Sequence, residues 1–89
     1  RSINVDLIYG LPRQTITTLR ETVARTVQLG PDRIALYHYA HLPHLFKPQR
    51  RIHEHELPSP ADKARMFEQA VRIFESAGYR HLGLRPHQR

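Results

Sequence analysis

Ile3-Asn4-Val5-Asp6-Leu7-Ile8-Tyr9-Gly10-Leu11-Pro12 decides how the rest of the chain is read. The first seven residues are short, β-branched or apolar, and closed by Gly and Pro, which is the pattern of a strand over 3–9. Apolar residues fall on both of its faces, as in a parallel strand covered on both sides. Asp6 breaks the pattern. A buried charge costs several kcal/mol unless it is paired, so Asp6 belongs either on a solvent face or opposite a polar partner. Strand periodicity puts Asp6 and Ile8 on one face, and Val5, Leu7 and Tyr9 on the other.

Outward from this strand the pattern changes to a helical one. Thr15 opens a helix with Ile16, Leu19, Val23 and Val27 as its apolar stripe and Ala24 alongside. Gly30-Pro31 stops it, because Gly accepts the left-handed cap and Pro cannot continue the helix. Arg33 to Tyr39 is a second strand. Strand, helix and strand with short connections make a βαβ unit, whose strands are parallel.

Residues 40–58 form a long segment rich in Pro and His. A loop of this length after the C-terminal end of a parallel strand lies where α/β folds place their ligands. Ser59 is then an N-cap, Pro60 the first helical residue and Asp62 the acid of a capping box. Met66, Phe67, Ala70, Val71, Phe74 and Ala77 form the expected buried stripe, Gly78 caps the helix, and Tyr79 to Leu84 reads as a third strand. The order β-α-β-loop-α-β is a slice of an α/β parallel barrel or open sheet. Such a slice leaves sheet edges uncovered, so the isolated chain is expected to be marginally stable and prone to aggregate.

Composition narrows the function. The 89 residues contain no cysteine, so the chain itself offers no thiolate to zinc or an iron–sulfur cluster and forms no disulfide. No apolar run approaches the roughly 18–20 residues of a membrane span, and no signal-peptide pattern is visible. The net charge is +6. The basic residues are scattered and no aromatic residues interleave with a basic stripe, so no nucleic-acid partner is expected.

Four groups carry candidate chemistry. Asp6 accepts hydrogen bonds from a ligand or pairs with a neighbouring Arg or Lys, and spacing alone leaves these even. Tyr37-His38-Tyr39-Ala40-His41-Leu42-Pro43-His44 holds three histidines, but without a carboxylate companion it is a weak metal pattern. Ala40 is small and stands just past a strand end, where a flat ligand can approach the backbone. Lys47, Arg50 and Arg51 are either a carboxylate-binding set or a solvated cluster, and charge pattern favours the cluster. Gly10-Leu11-Pro12 is a tight turn rather than a phosphate loop, since no glycine-rich Walker pattern follows.

Asn4-Val5-Asp6-Leu7-Ile8-Tyr9-Gly10-Leu11-Pro12-Arg13-Gln14-Thr15 resembles a segment of oxygen-independent coproporphyrinogen III oxidase, a radical S-adenosylmethionine (SAM) family of haem biosynthesis. So do Pro31 to Pro43 and Leu57 to Tyr79, in the same order and spacing. A related haem-chaperone branch shares the Gly-Leu-Pro turn. It carries a Glu-Pro-Gly-Thr-type segment where this chain has Tyr39-Ala40-His41-Leu42-Pro43, and Gln49-Arg50 also favours the oxidase. The chaperone, a haem binder without oxidase activity, is the alternative.

The resemblance implies an internal fragment of a partial, six-stranded parallel barrel. Residues 1–84 would be the C-terminal part of the radical SAM barrel domain, and 85–89 a truncated or non-native tail. In the full-length family a 4Fe-4S cluster, held by a C-x-x-x-C-x-x-C loop, cleaves SAM. The resulting radical abstracts hydrogen from propionate side chains of coproporphyrinogen III, and decarboxylation leaves vinyl groups. The SAM-contacting positions fall on Asp6, Ala40 and, more weakly, Ile8. No catalytic residue and no metal ligand falls within this chain, and the fragment alone is expected to be inactive. The family implies a cytoplasmic monomer. Both ends look cut: the chain begins at Arg1. After Gly83, where the family continues Met/Leu-Asp-His-Phe, it reads Leu84-Arg85-Pro86-His87. One inserted base would produce that change.

Overall fold

The computed structural model describes residues 2–80. Strand β1 (Asn4–Tyr9) is followed by helix α1 (Ile16–Leu29) and strand β2 (Arg33–His38). The long segment after β2 carries two short 3-10 turns, Lys47–Arg51 and Glu54–Glu56, before helix α2 (Pro60–Ser76).

β1 and β2 are parallel, in a register that runs from Asn4 opposite Arg33 to Tyr9 opposite His38. Tyr39 extends the ladder past the end of β2, its N–H donating to the Tyr9 carbonyl at 2.8 Å. Among the described residues these two strands are the whole sheet. Of the expected third strand, Tyr79 and Arg80 are described, and 81–84 lie outside the described residues, as does the 85–89 tail.

The helices begin where cap chemistry dictates. Thr15 Oγ1 accepts the Thr18 N–H at 3.1 Å, and Thr18 Oγ1 accepts the Thr15 N–H at 3.0 Å, a reciprocal capping box. Gly30, at φ 63°, ends α1 in the left-handed region that only Gly enters without steric cost. Ser59 caps α2 by accepting the Asp62 N–H at 3.1 Å, with Pro60 as first helical residue. The contact is the backbone half of a capping box.

Both helices cover one face of the sheet. Leu19 and Val23 of α1, Ile34 of β2, and Met66, Ala70 and Phe74 of α2 form one buried cluster with Tyr79. Leu7, Tyr9 and Leu36 pack against it from the strands. Burial of each large apolar side chain contributes about 1.5–3 kcal/mol, which makes this cluster the main source of stability. The Tyr79 hydroxyl donates to the Pro31 carbonyl at 2.5 Å and so ties the end of α2 to the entry of β2.

Four helix positions differ from the periodicity reading. Ala24 is exposed, and Thr26 is buried in its stead. Thr26 tolerates burial because its hydroxyl donates to the Thr22 carbonyl one turn back, at 2.9 Å. On α2, Ala77 is exposed while Ile73 is half-buried against the core. The expectation that β1 is covered on both faces also changes. Val5, Leu7 and Tyr9 are half-buried, whereas Asn4, Asp6 and Ile8 are exposed.

Candidate functional site

The uncovered face of the sheet collects residues from both strands. The register places Asn4 beside Arg33, Asp6 beside Ala35, and Ile8 beside Tyr37. Asn4, Val5, Asp6, Arg33, Ala35 and Tyr37 line a shallow groove of about 270 Å³ there. Asp6 makes no hydrogen bond and no ion pair among the described residues, although Arg33 lines the same groove. Ile8 and Tyr37 are 47 % and 54 % exposed, an apolar surface next to an unpaired carboxylate.

At the C-terminal end of this face two loops leave the sheet. The first, after β1, turns at Gly10, where φ is 82°. Gln14 organises it: the side-chain oxygen accepts the N–H of Gly10 at 2.7 Å and of Leu11 at 3.3 Å. Arg13 lies at φ 61°, a left-handed conformation unusual for a residue with a Cβ. Two bonds to one residue hold it there. The Arg13 N–H donates to the Glu56 carbonyl at 2.6 Å, and its guanidinium pairs with the Glu56 carboxylate at 2.7 Å. The hydrogen bond from Arg13 holds the Glu56 carboxyl below the usual carboxylate range.

The second loop, after β2, carries Ala40, which is exposed. Gln49, from the first 3-10 turn, reaches back to it. Gln49 Nε2 donates to the Ala40 carbonyl at 3.1 Å, and Gln49 Oε1 accepts the Leu42 N–H at 2.5 Å. Arg50 Nε adds a bond to the Pro43 carbonyl at 3.1 Å. The Ala40 N–H has no partner among the described residues.

Of the sequence candidates, Asp6 and Ile8 thus share the open face, and Ala40 stands at its C-terminal rim. Ala40 is five residues beyond Ala35, the neighbour of Asp6, or roughly 16 Å along an extended chain. The histidines do not converge. The His38 ring meets Tyr9 edge-on at 5.4 Å, on the helix side of the sheet. His41 stands beside Tyr39, and His53 stacks on His55 at 5.4 Å. Among the described residues no group of three or more His, Cys, Asp or Glu could hold a metal ion. Lys47 and Arg51 line a separate hollow with Pro48 on the 3-10 turn. Sequence reasoning missed Ala35, the bracing of both loops by glutamine, and the Arg13–Glu56 pair. Only Ala35 had a legible signal, its place two residues before Tyr37 on the same strand face.

No protein-family model matches the chain. Individual relatives do. The oxygen-independent coproporphyrinogen III oxidase of Pseudomonas aeruginosa is 49 % identical over 84 residues, 94 % of this chain and 18 % of the relative. That of Thermostichus vulcanus is 43 % identical over 83 residues, 93 % of this chain and 26 % of the relative. Among solved structures, the coproporphyrinogen III oxidase of Escherichia coli, a radical SAM enzyme, superposes with a TM-score of 0.85 at 40 % identity. That match covers 92 % of this chain and 19 % of the other. The chain thus spans about a fifth to a quarter of the length of these relatives. In sequence and in fold, along nearly its whole length, it is similar to one segment of the oxygen-independent coproporphyrinogen III oxidase family.

Proposed function

We propose that this chain supplies part of the SAM-binding wall of an oxygen-independent coproporphyrinogen III oxidase, with residues 1–84 as the C-terminal part of a partial parallel barrel. The open sheet face is then the barrel interior. The observation that carries the reading is Asp6. It is a carboxylate on a strand face with no partner among the described residues, beside a small residue and an apolar one, in a chain similar to radical SAM oxidases.

The exposed residues fit SAM. The Asp6 carboxylate accepts hydrogen bonds from a ligand hydroxyl or amino group, which strengthen because the acceptor is ionised. Ile8 offers an apolar contact, and the free N–H of Ala40 donates to an acceptor on a flat ring. The chain has no cysteine, so it provides no ligand to the 4Fe-4S cluster that the family uses, and its part is to bind and orient rather than to react. SAM, when bound beside that cluster, supplies the hydrogen-abstracting radical for oxidative decarboxylation of coproporphyrinogen III. Orientation is itself catalytic in such a step, because the reacting atoms must be held in near-attack geometry. The setting is a cytoplasmic monomer acting on a small-molecule substrate without nucleic acid or membrane. No helix among the described residues is long and apolar enough to cross a membrane.

A graft tests the reading. Residues 1–84 of this chain replace the corresponding segment of the P. aeruginosa oxidase, to which the chain is similar over 84 residues. The graft should decarboxylate coproporphyrinogen III in a SAM-dependent reaction. A graft that folds and carries its cluster but forms no vinyl product would overturn it. The haem-chaperone reading predicts instead a Soret shift with haem, lost when His38, His41 and His44 are changed to Ala.

A further inference from the structure

Gln49 is not one of the SAM-contacting positions, Asp6, Ile8 and Ala40, yet its carboxamide makes the two bonds that shape the rim beside Ala40. One end donates to the Ala40 carbonyl at 3.1 Å and the other accepts the Leu42 N–H at 2.5 Å. The two peptide groups flank His41, so one planar side chain brackets the three residues 40–42. The same device braces the neighbouring loop, where Gln14 Oε1 collects the N–H groups of Gly10 and Leu11. Both loops at the C-terminal end of the sheet are therefore clasped by a glutamine rather than by a regular hydrogen-bond ladder.

We infer that Gln49 is the positioning residue for the cofactor-facing backbone of Ala40, an inference that rests on the SAM reading. Its chemistry is selective. Leu42 needs an acceptor and Ala40 a donor, and among side chains of this length only Gln presents both. Glu keeps the acceptor for Leu42 but sets a carboxylate oxygen against the Ala40 carbonyl. The clasp also decides which edge of Ala40 a ligand meets. Its carbonyl is engaged by Gln49, and its N–H has no partner among the described residues. The N–H of Ala40 is thus open to a ligand acceptor, such as a ring nitrogen of a purine, and its carbonyl keeps one lone pair beside the Gln49 bond. Arg50 holds the far side of the bracket through the Pro43 carbonyl and does not touch Ala40.

The test reads the clasp and the ligand separately. Amide hydrogen exchange is measured at Leu42 in the 89-residue chain, and SAM affinity in the P. aeruginosa graft, for the parent, Gln49→Ala and Gln49→Glu. Gln49→Ala should speed Leu42 exchange at least about tenfold, and Gln49→Glu should leave it slow. Both variants should weaken SAM binding about tenfold, the effect of roughly one hydrogen bond, with unchanged melting temperature. Unchanged Leu42 exchange in Gln49→Ala overturns the clasp. Faster exchange with unaltered SAM affinity overturns the positioning role and leaves the clasp a structural one. If the folded parent graft itself binds no SAM, the cofactor reading fails and the positioning role fails with it, whatever Leu42 does.

Discussion

Asp6 lies directly across the parallel ladder from Ala35, on the face of the sheet that neither helix covers. A methyl group beside a carboxylate leaves its flank open to a ligand. On an uncovered face, enlarging that methyl removes little packing from the core. Ala35→Phe should therefore change the stability of the chain by less than about 1 kcal/mol in urea unfolding. In the graft it should cost at least tenfold in SAM affinity, read by equilibrium titration.

Phe74 is fully buried in the core cluster, with its ring edge-on to Tyr79 at 6.1 Å. Phe74→Ala deletes a ring that strands, helices and Tyr79 share. The expected loss is about 3–5 kcal/mol, a large fraction of the stability of any small domain. Thermal unfolding should show no cooperative transition, or one displaced far downward.

Tyr79 links α2 to the entry of β2 through the Pro31 carbonyl. Tyr79→Phe leaves that buried acceptor without its partner and should cost about 1–3 kcal/mol by urea unfolding. Burial, aided by the negative charge of Asp32, pushes the Tyr79 hydroxyl above its ordinary pKa of 10.0. The folded state thus favours the neutral phenol. This stabilisation is complete below about pH 10 and is lost as pH rises towards the folded value. Alkaline unfolding should accordingly be shallower in Tyr79→Phe than in the parent.

Glu56 behaves in the opposite sense. The Arg13 hydrogen bond lowers its pKa, so its contribution is present at neutral pH and fades as pH falls below the ordinary carboxylate value towards the folded one. The effect is small because the Arg13 side chain is 79 % exposed. Glu56→Gln should flatten the acid limb of the stability curve while leaving the alkaline limb unchanged. Arg13→Gly should separate charge from conformation. It removes the ion pair but relieves the left-handed backbone at φ 61°, so its net effect should be smaller than that of Arg13→Ala.

Most of the fold was legible because it depends on local signals. Thr15, Gly30, Ser59 and Pro60 mark helix ends through bonds to their own neighbours, and each mark is found in the structure. Parallel strands followed from the short strand–helix–strand spacing. The errors arise where chemistry overrides periodicity. Thr26 is buried because a hydroxyl satisfied by its own helix behaves as an apolar residue, whereas Ala24 falls just outside the stripe. At the site, the shared face of Asp6 and Ile8 follows from strand alternation. The clasp of Gln49 on Ala40 does not, because a side-chain bond across nine residues of irregular chain has no period to read. The resemblance adds what spacing could not, SAM as the ligand proposed for Asp6.

SAM affinity of the P. aeruginosa graft, compared with that of its Asp6→Asn variant, tests the central claim most directly. Asn preserves the shape of the side chain and removes the charge. A cofactor-facing Asp6 requires binding weakened at least tenfold, with the same melting temperature and the same cluster content. Equal affinity in the two proteins would contradict it and return Asp6 to the surface of the sheet as an ordinary solvated carboxylate.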